Sequence, residues 1–357
     1  MLWTSFRTDS RRRSGMLIPL KKVVASSTYL DPFADFVPRQ GEVEIRWDPL
    51  TLLTSRIVRI PPRKVPRFDY KDAISVSLAA KCPFCPENVA RMTARLPSEI
   101  FGAERLEKDG VTIIPNLLTF DSYALVAILC PQHFVDLATL LEKGLVIKGI
   151  VALLDAFRMI RKRDKGARYF SINFNFMPMA GSSILHSHLQ GVAGKYPTNY
   201  LRLMLARSRN FSKSKKKIFW ETLIEEERKA GERYIGGIGR THWYAPFAPR
   251  GNIDVGCVFG EAILFAIERD EWEDFGSGLA NVLKYLDQEN VSGFNLTIFS
   301  GSERDKTFRV NARLVARRFL PPVNAADSNY FDKLHMESMS LVAPEQVAAD
   351  LRALWGR

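Results

Sequence analysis

The sequence is poor in sulfur and in histidine. Four cysteines among 357 residues are too few for a disulfide framework. Two of them form Cys82-Pro83-Phe84-Cys85, so a reducing cytoplasm and metal binding are the expectation. Long apolar runs are missing as well, and charges interrupt every candidate, which argues against a membrane partner. Residues 1–15 contain Arg11-Arg12-Arg13 but no apolar core of the signal-peptide type. Met16 offers an alternative start, and the first fifteen positions read as a loose extension. Acid is in deficit, with 39 Asp and Glu against 51 Lys and Arg and a net charge of +12. Such an excess points to an anionic partner, either nucleic acid or a small phosphorylated substrate. The basic runs at 11–13, 161–165 and 213–217 carry no interleaved aromatics. They read as solvated loop or helix-end charge, and no nucleic acid is expected. What is abundant, 46 % hydrophobic and 25 % charged residues, is the balance of a soluble globular chain.

Against this background one stretch stands out. His186-Ser187-His188-Leu189-Gln190 holds two of only five histidines, just after Ala180-Gly181-Ser182-Ser183. If extended, side chains two apart share a face, so His186, His188 and Gln190 point one way and Leu185, Ser187 and Leu189 the other. A neutral imidazole attacks an electrophile without first losing a proton. The glycine and serines upstream offer N–H and hydroxyl donors suited to a phosphate. A lone Cys-x-x-Cys supplies half of a tetrahedral zinc site. Cys82, Cys85, His133 and His186 make a chemically sensible set that leaves His188 free, although spacing does not single it out. Cys130 and Cys257 lie in apolar strands and read as core.

Alternation of polar and apolar residues predicts strands over 42–47 and 55–60 with a turn at 48–51, and further strands over 111–114, 123–129 and 169–176. The next strand carries 186–190. Helical spacing marks 131–141 and 149–162. Residues 61–81, rich in Pro, Arg and Lys, read as a surface segment, and prolines 83 and 86 keep the cysteine region irregular. An amphipathic helix over 218–225 connects two halves. Strands over 241–244 and 253–259, a helix over 270–288, strands over 293–299 and 308–317, and a helix over 344–354 follow. Strand-strand-helix-strand appears once in each half, a weak internal repeat. The pattern suits an α+β fold with mostly antiparallel sheets.

Four separated pieces carry a family likeness. They are Arg46-Trp47-Asp48-Pro49-Leu50-Thr51 followed by Arg59 to Arg63; Cys82-Pro83-Phe84-Cys85-Pro86-Glu87-Asn88; Asn175 through Gly181-Ser182-Ser183 to His186-Ser187-His188-Leu189-Gln190; and Glu337 with 343–352. In that order the chain resembles galactose-1-phosphate uridylyltransferases of the histidine-triad superfamily. The resemblance implies two related histidine-triad-like halves, each with a mostly antiparallel sheet flanked by helices. The divisions would be an extension at 1–40, a catalytic half at 41–200, a linker at 201–236 and a second half at 237–357. It further implies exchange of UMP between a UDP-hexose and a hexose 1-phosphate through a nucleotidyl-His188 intermediate, in a cytoplasmic homodimer.

By the same likeness, Gln190 stands where hydrolase relatives carry a third histidine, and favours transfer over hydrolysis. Arg63, Asn116, Asn175, Ser182, Ser183 and Glu337 would meet substrate. Cys82, Cys85, His133 and His186 would hold Zn2+. Leu117 departs from the polar residue that the transferases carry beside the nucleoside, so uracil and adenine both stay open. A phosphorylase of ADP-glucose or a dinucleotide, using the same histidine, is the alternative. A zinc-containing nucleic-acid-binding protein is a remote one. Only His242 and His335 remain in the C-terminal half, so no second metal site is expected.

Overall fold

A computed structural model describes residues 15–58, 65–142 and 144–355 in full, and the backbone of 4–9. The chain opens in a small sheet of β1 (Thr4–Asp9), β2 (Lys22–Asp31), β3 (Val37–Trp47) and β4 (Thr54–Val58), each antiparallel to the next. Three short helices follow, α1 (Lys71–Ala79), α2 (Pro86–Met92) and α3 (Ser98–Phe101). Then come β5 (Leu106–Lys108), β6 (Val111–Pro115), β7 (Tyr123–Ile128), α4 (Leu137–Glu142), α5 (Leu145–Arg163), β8 (Tyr169–Phe176) and β9 (His188–Gly194). Two helices, α6 (Asn199–Lys215) and α7 (Phe219–Ala230), lead to β10 (Tyr234–Ile238), β11 (Thr241–Tyr244) and β12 (Asp254–Val258). The long α8 (Arg269–Gln288) precedes β13 (Gly293–Phe299) and β14 (Asn311–Arg317). A short pair, β15 (Phe319–Leu320) and β16 (Ala325–Ala326), leads to β17 (Ser338–Ser340), and α9 (Pro344–Leu354) closes the chain.

The main sheet has ten strands in the order β10-β11-β12-β14-β13-β8-β9-β7-β6-β5, antiparallel throughout. The block β5 to β9 and the block β10 to β14 have the same internal order. They meet where β8 pairs with β13, Asn175 facing Asn295. Alternation decides which face is wet. In β8, Phe170, Ile172, Phe174 and Phe176 are buried, while Tyr169, Ser171, Asn173 and Asn175 turn to the other face. The buried side packs against α5 and α8, whose apolar stripes form the main core. Gly149 of α5 lets the helix close on the sheet, since a Cβ there would collide with Leu129 and Leu189. The other face carries Asn173 and Asn175 of β8 and, paired with Asn173, Gln190 of β9.

The two ends of the chain are pinned together. Arg46 of β3 donates to Glu44 and to Glu345 at the start of α9, and Glu345 also accepts from Arg233, which bonds Glu227. Both guanidiniums lie over the ring of Phe247, 4.7 and 5.1 Å from its centroid. β17 adds to the small sheet parallel to β4. Two pieces of the motif set, at 46–51 and 343–352, thus have a shared structural role.

Several sequence expectations need correction. Within the 61–81 segment, read as surface, Lys71–Ala79 form the helix α1, which buries no side chain; Pro86 opens α2 rather than leaving the cysteine region irregular, since proline suits the first helical turn. The helix expected over 131–141 begins only at Leu137, so His133 sits on an irregular approach. His186 precedes β9, which starts at His188, and the shared face holds only for His188 and Gln190. The basic runs at 161–163 and 213–215 fall in the last turns of α5 and α6, where positive charge complements the helix dipole. Among the described residues no helix is long and apolar enough to cross a membrane.

Candidate active site and metal centre

The four sulfur and nitrogen donors anticipated from the sequence converge. One ligand atom from each of Cys82, Cys85, His133 and His186 lies within 4.8 Å of all the others. The chain reaches this from three places: the turn before α2, the irregular stretch after β7, and the bend before β9. Cys85 Sγ is 3.2 Å from His133 Nδ1 and 3.7 Å from His186 Nδ1, and Cys82 Sγ is 3.9 Å from His186 Nδ1. A tetrahedral zinc with S and N bonds of about 2.0–2.3 Å requires donor separations of about 3.5 Å. The residues present fit such an ion.

Tautomers support the same arrangement. His186 Nε2–H donates to the Cys130 carbonyl at 2.7 Å, which leaves the Nδ1 lone pair aimed at the cysteines. Burial lowers the pKa of both His186 and His133, favouring the neutral ligand form. Burial, with the adjacent Cys82, pushes the Cys85 thiol up to about 12. A cation is what would offset that cost and hold the pair as thiolates. The group could therefore hold a metal ion.

His188 is next to this cluster but is not part of it. Its Nδ1–H donates to the carbonyl of His186 at 2.9 Å. The other nitrogen, Nε2, is left with its lone pair, and no described residue bonds to it. The ring is buried, its pKa lowered by that burial, and the edge of Phe84 approaches it at 5.1 Å between centroids. Ile128 pairs with it on β7. Gln190 lies two residues along the same face, opposite Asn173 on β8. Continuing that register by two residues sets Asn175 level with His188.

Asn175 is held in turn. Its side-chain oxygen accepts from Asn295 Nδ2 at 2.7 Å, and Asn295 also donates to the Ala180 carbonyl at 2.8 Å. Arg317 donates to Asn295 Oδ1 at 2.8 Å and is itself tied to Asp327. With its oxygen occupied, Asn175 keeps its amide hydrogens for another acceptor. Asn295 and Arg317 escaped the sequence reading because they enter through a pairing across 120 residues. A faint signal exists: Asn173-Phe174-Asn175 and Asn295-Leu296-Thr297 share one polar-apolar-polar pattern.

The Gly181-Ser182-Ser183 turn begins with a left-handed residue, Gly181 at φ 88°, where glycine is the natural occupant. Ser182 Oγ donates to the Ile184 carbonyl, while Ser183 is exposed beside it. Asn116 follows β6; its N–H bonds Ala124 and its side chain accepts from Leu118 N–H. It lies two strands from His188 and further along the sheet, outside the histidine cluster. Glu337 sits on the small sheet, accepting from Thr54 at 2.5 Å and pairing with Arg56 at 3.2 Å. Within one chain it makes no contact with the His188 cluster. Arg63 lies outside the described residues.

No family model matches the chain. A protein of Archaeoglobus fulgidus described only as "Uncharacterized protein" is 32 % identical over 322 residues, covering 88 % of this chain and 93 % of that one. Among solved structures, a GalT-like protein and an ADP-glucose phosphorylase with bound ADP-glucose, both from Arabidopsis thaliana, superpose with TM-scores of 0.64 at 18 % identity. A uridylyltransferase structure gives 0.61 at 20 % identity. Each alignment covers 87 % of this chain and 98 % of the other. The chain belongs to the family of the A. fulgidus protein, and its fold is the one shared by the GalT-like protein, the ADP-glucose phosphorylase and the uridylyltransferase.

Proposed function

We propose that this chain is a nucleotidyltransferase that moves a nucleoside monophosphate, UMP in the leading reading, between a nucleotide sugar and a sugar 1-phosphate. The observation that carries this is the His188 ring, fixed through Nδ1–H to the His186 carbonyl so that Nε2 keeps a free lone pair on the polar face. In the first step that lone pair forms a bond to the α-phosphorus. The bond from phosphorus to the bridging oxygen breaks, and the sugar 1-phosphate leaves with the electron pair. In the second step a phosphate oxygen of the incoming sugar 1-phosphate attacks, and the pair returns to Nε2. The Nδ1 proton stays on the ring throughout, so the His186 carbonyl stabilises the positive charge that develops.

Asn175 and Ser183 would donate to phosphate oxygens, and Ser182 would brace the turn that presents them. Gln190 would orient the phosphate without supplying a proton, which suits a sugar phosphate that leaves as a stable anion. Asn116 would meet the nucleoside, Arg63 the nucleotide phosphates, and Glu337 a sugar hydroxyl in the neighbouring subunit of a dimer. Zn2+ on Cys82, Cys85, His133 and His186 would stiffen the bend before β9, and so the carbonyl that orients His188. Catalysis would then belong to the half at 41–200, with 237–357 completing its sheet. The reaction would be cytoplasmic.

A second reading keeps the same nucleophile but releases AMP to inorganic phosphate. Two observations favour it: the exposed apolar Leu117 beside Asn116, and a likeness to the ADP-glucose phosphorylase as high as to any structure above. Mixing the purified protein with UDP-glucose or ADP-glucose and measuring intact mass separates the readings. A UMP adduct lost in His188→Ala supports the first and an AMP adduct the second. Absence of any adduct, or an adduct that survives in His188→Ala, overturns both.

A further inference from the structure

A cavity opens on the polar face of the sheet, on the far side of Asn295 from His188. It has a volume of about 480 Å³ and its walls include Tyr200, Arg250, Asn252, Arg317, Asp332 and Ser338. The size suits a small organic ligand, and none of the groups assigned to transfer lines it. Its floor is β13 and β14, so its centre is displaced from the His188 strand by at least two strand spacings, about 10 Å.

Arg250 is the anomalous member. Its guanidinium is half-buried, stacked on the Tyr200 ring at 3.8 Å, and burial lowers its pKa. Three other arginines sunk into the fold are matched by carboxylates: Arg46 by Glu44 and Glu345, Arg233 by Glu227 and Glu345, Arg313 by Asp254. Arg250 has no carboxylate partner and no side-chain hydrogen bond among the described residues. The two carboxylates whose charge reaches it, Asp254 and Asp48, bond groups other than its guanidinium, Asp48 through Oδ1 alone. Asp254 accepts from Arg313 through both oxygens, and Asp48 accepts from the Leu50 and Thr51 amides and the Thr51 hydroxyl. A guanidinium held out of bulk water without an anion is costly, and its planar fork is shaped for a phosphate.

The lining holds one other cation, and it is already matched. Arg317 is spent on Asp327 and Asn295. Asn252 gives its oxygen to Leu341 N–H, which leaves its amide hydrogens for the cavity. Asp332 offers a carboxylate oxygen beyond the one that accepts from Asn329 N–H, and Ser338 offers a hydroxyl. One unpaired cation beside amide, hydroxyl and carboxylate groups matches a ligand with an anion at one end and several hydroxyls at the other. We propose that this cavity is a second ligand site, distinct from His188, that takes a phosphorylated sugar with its phosphate on Arg250.

The test uses glucose 1-phosphate with the full chain. Titration calorimetry on the wild type should show two binding events, and Arg250→Met should lose one of them, weakening it at least about tenfold, as expected for a charge-assisted contact. Arg250→Met should still form the His188 adduct with a nucleotide sugar. A measurement on the unaltered protein covers the case in which the variant does not fold. Phenylglyoxal should modify Arg250, and glucose 1-phosphate, but not glucose, should protect it in peptide maps. Unchanged binding by Arg250→Met, or no phosphate-dependent protection of Arg250, overturns the site. Failure of adduct formation with the protection intact overturns the transfer reaction and leaves the second site standing.

Discussion

The lock between the chain ends gives a quantitative expectation for Glu345→Gln. The Glu345 carboxylate accepts from Arg46 at 2.8 and 3.2 Å and from Arg233 at 3.0 Å. Burial pushes its pKa up, but the Arg46 hydrogen bond and the charges of Arg46 and Arg233 outweigh it, bringing the carboxyl from 4.5 to about 2. A lowering of that size is worth about 3 kcal/mol. The side chain is 32 % exposed, and solvent screening reduces the expectation to about 2 kcal/mol. Because the folded pKa lies below the unfolded one, this stability is present above pH 4.5 and is lost as pH falls towards 2. Urea unfolding at pH 7 should find Glu345→Gln about 2 kcal/mol less stable than the wild type. The gap should narrow steadily between pH 4.5 and 2. Equal stability at pH 7, or a gap that stays constant down to pH 2, refutes this account of the lock.

Gly149→Ala should destabilise by about 1–3 kcal/mol in the same assay, because the new methyl meets Leu129 and Leu189; a neutral result would mean α5 can lift from the sheet without cost. Removing the metal with a chelator, or replacing Cys85 by serine, should lower the melting temperature by several degrees and release about one zinc per chain to an indicator dye. A chelator that leaves both melting and dye signal unchanged would dismiss zinc from the Cys82, Cys85, His133 and His186 group.

The sequence was most informative where chemistry is local. The paired histidines, the Cys-x-x-Cys and the alternation of 169–176 and 293–299 each sit within a few residues, and periodicity locates them. Helix α1 was hidden because its residues 71–79 bury no side chain, which removes the apolar stripe that periodicity reads. The displacement of His186 from β9 was invisible for a different reason. Its ring is drawn to cysteines about 100 residues away, and alternation knows nothing of that pull. The Asn175–Asn295–Arg317 chain likewise exists only once two distant strands have paired, and Arg250 is unusual only when its missing partner can be seen.

The seam between β8 and β13 has a consequence for how this chain can be cut. β8 is bonded to β9 along one edge and to β13 along the other, so an isolated first half would bare a long unpaired strand. Such an edge invites sticking to other copies. The Asn295 amide that steadies Asn175 would also be absent. Two fragments expressed from separate genes should therefore be insoluble apart and recover only when produced together, making the second half a scaffold that the first cannot shed.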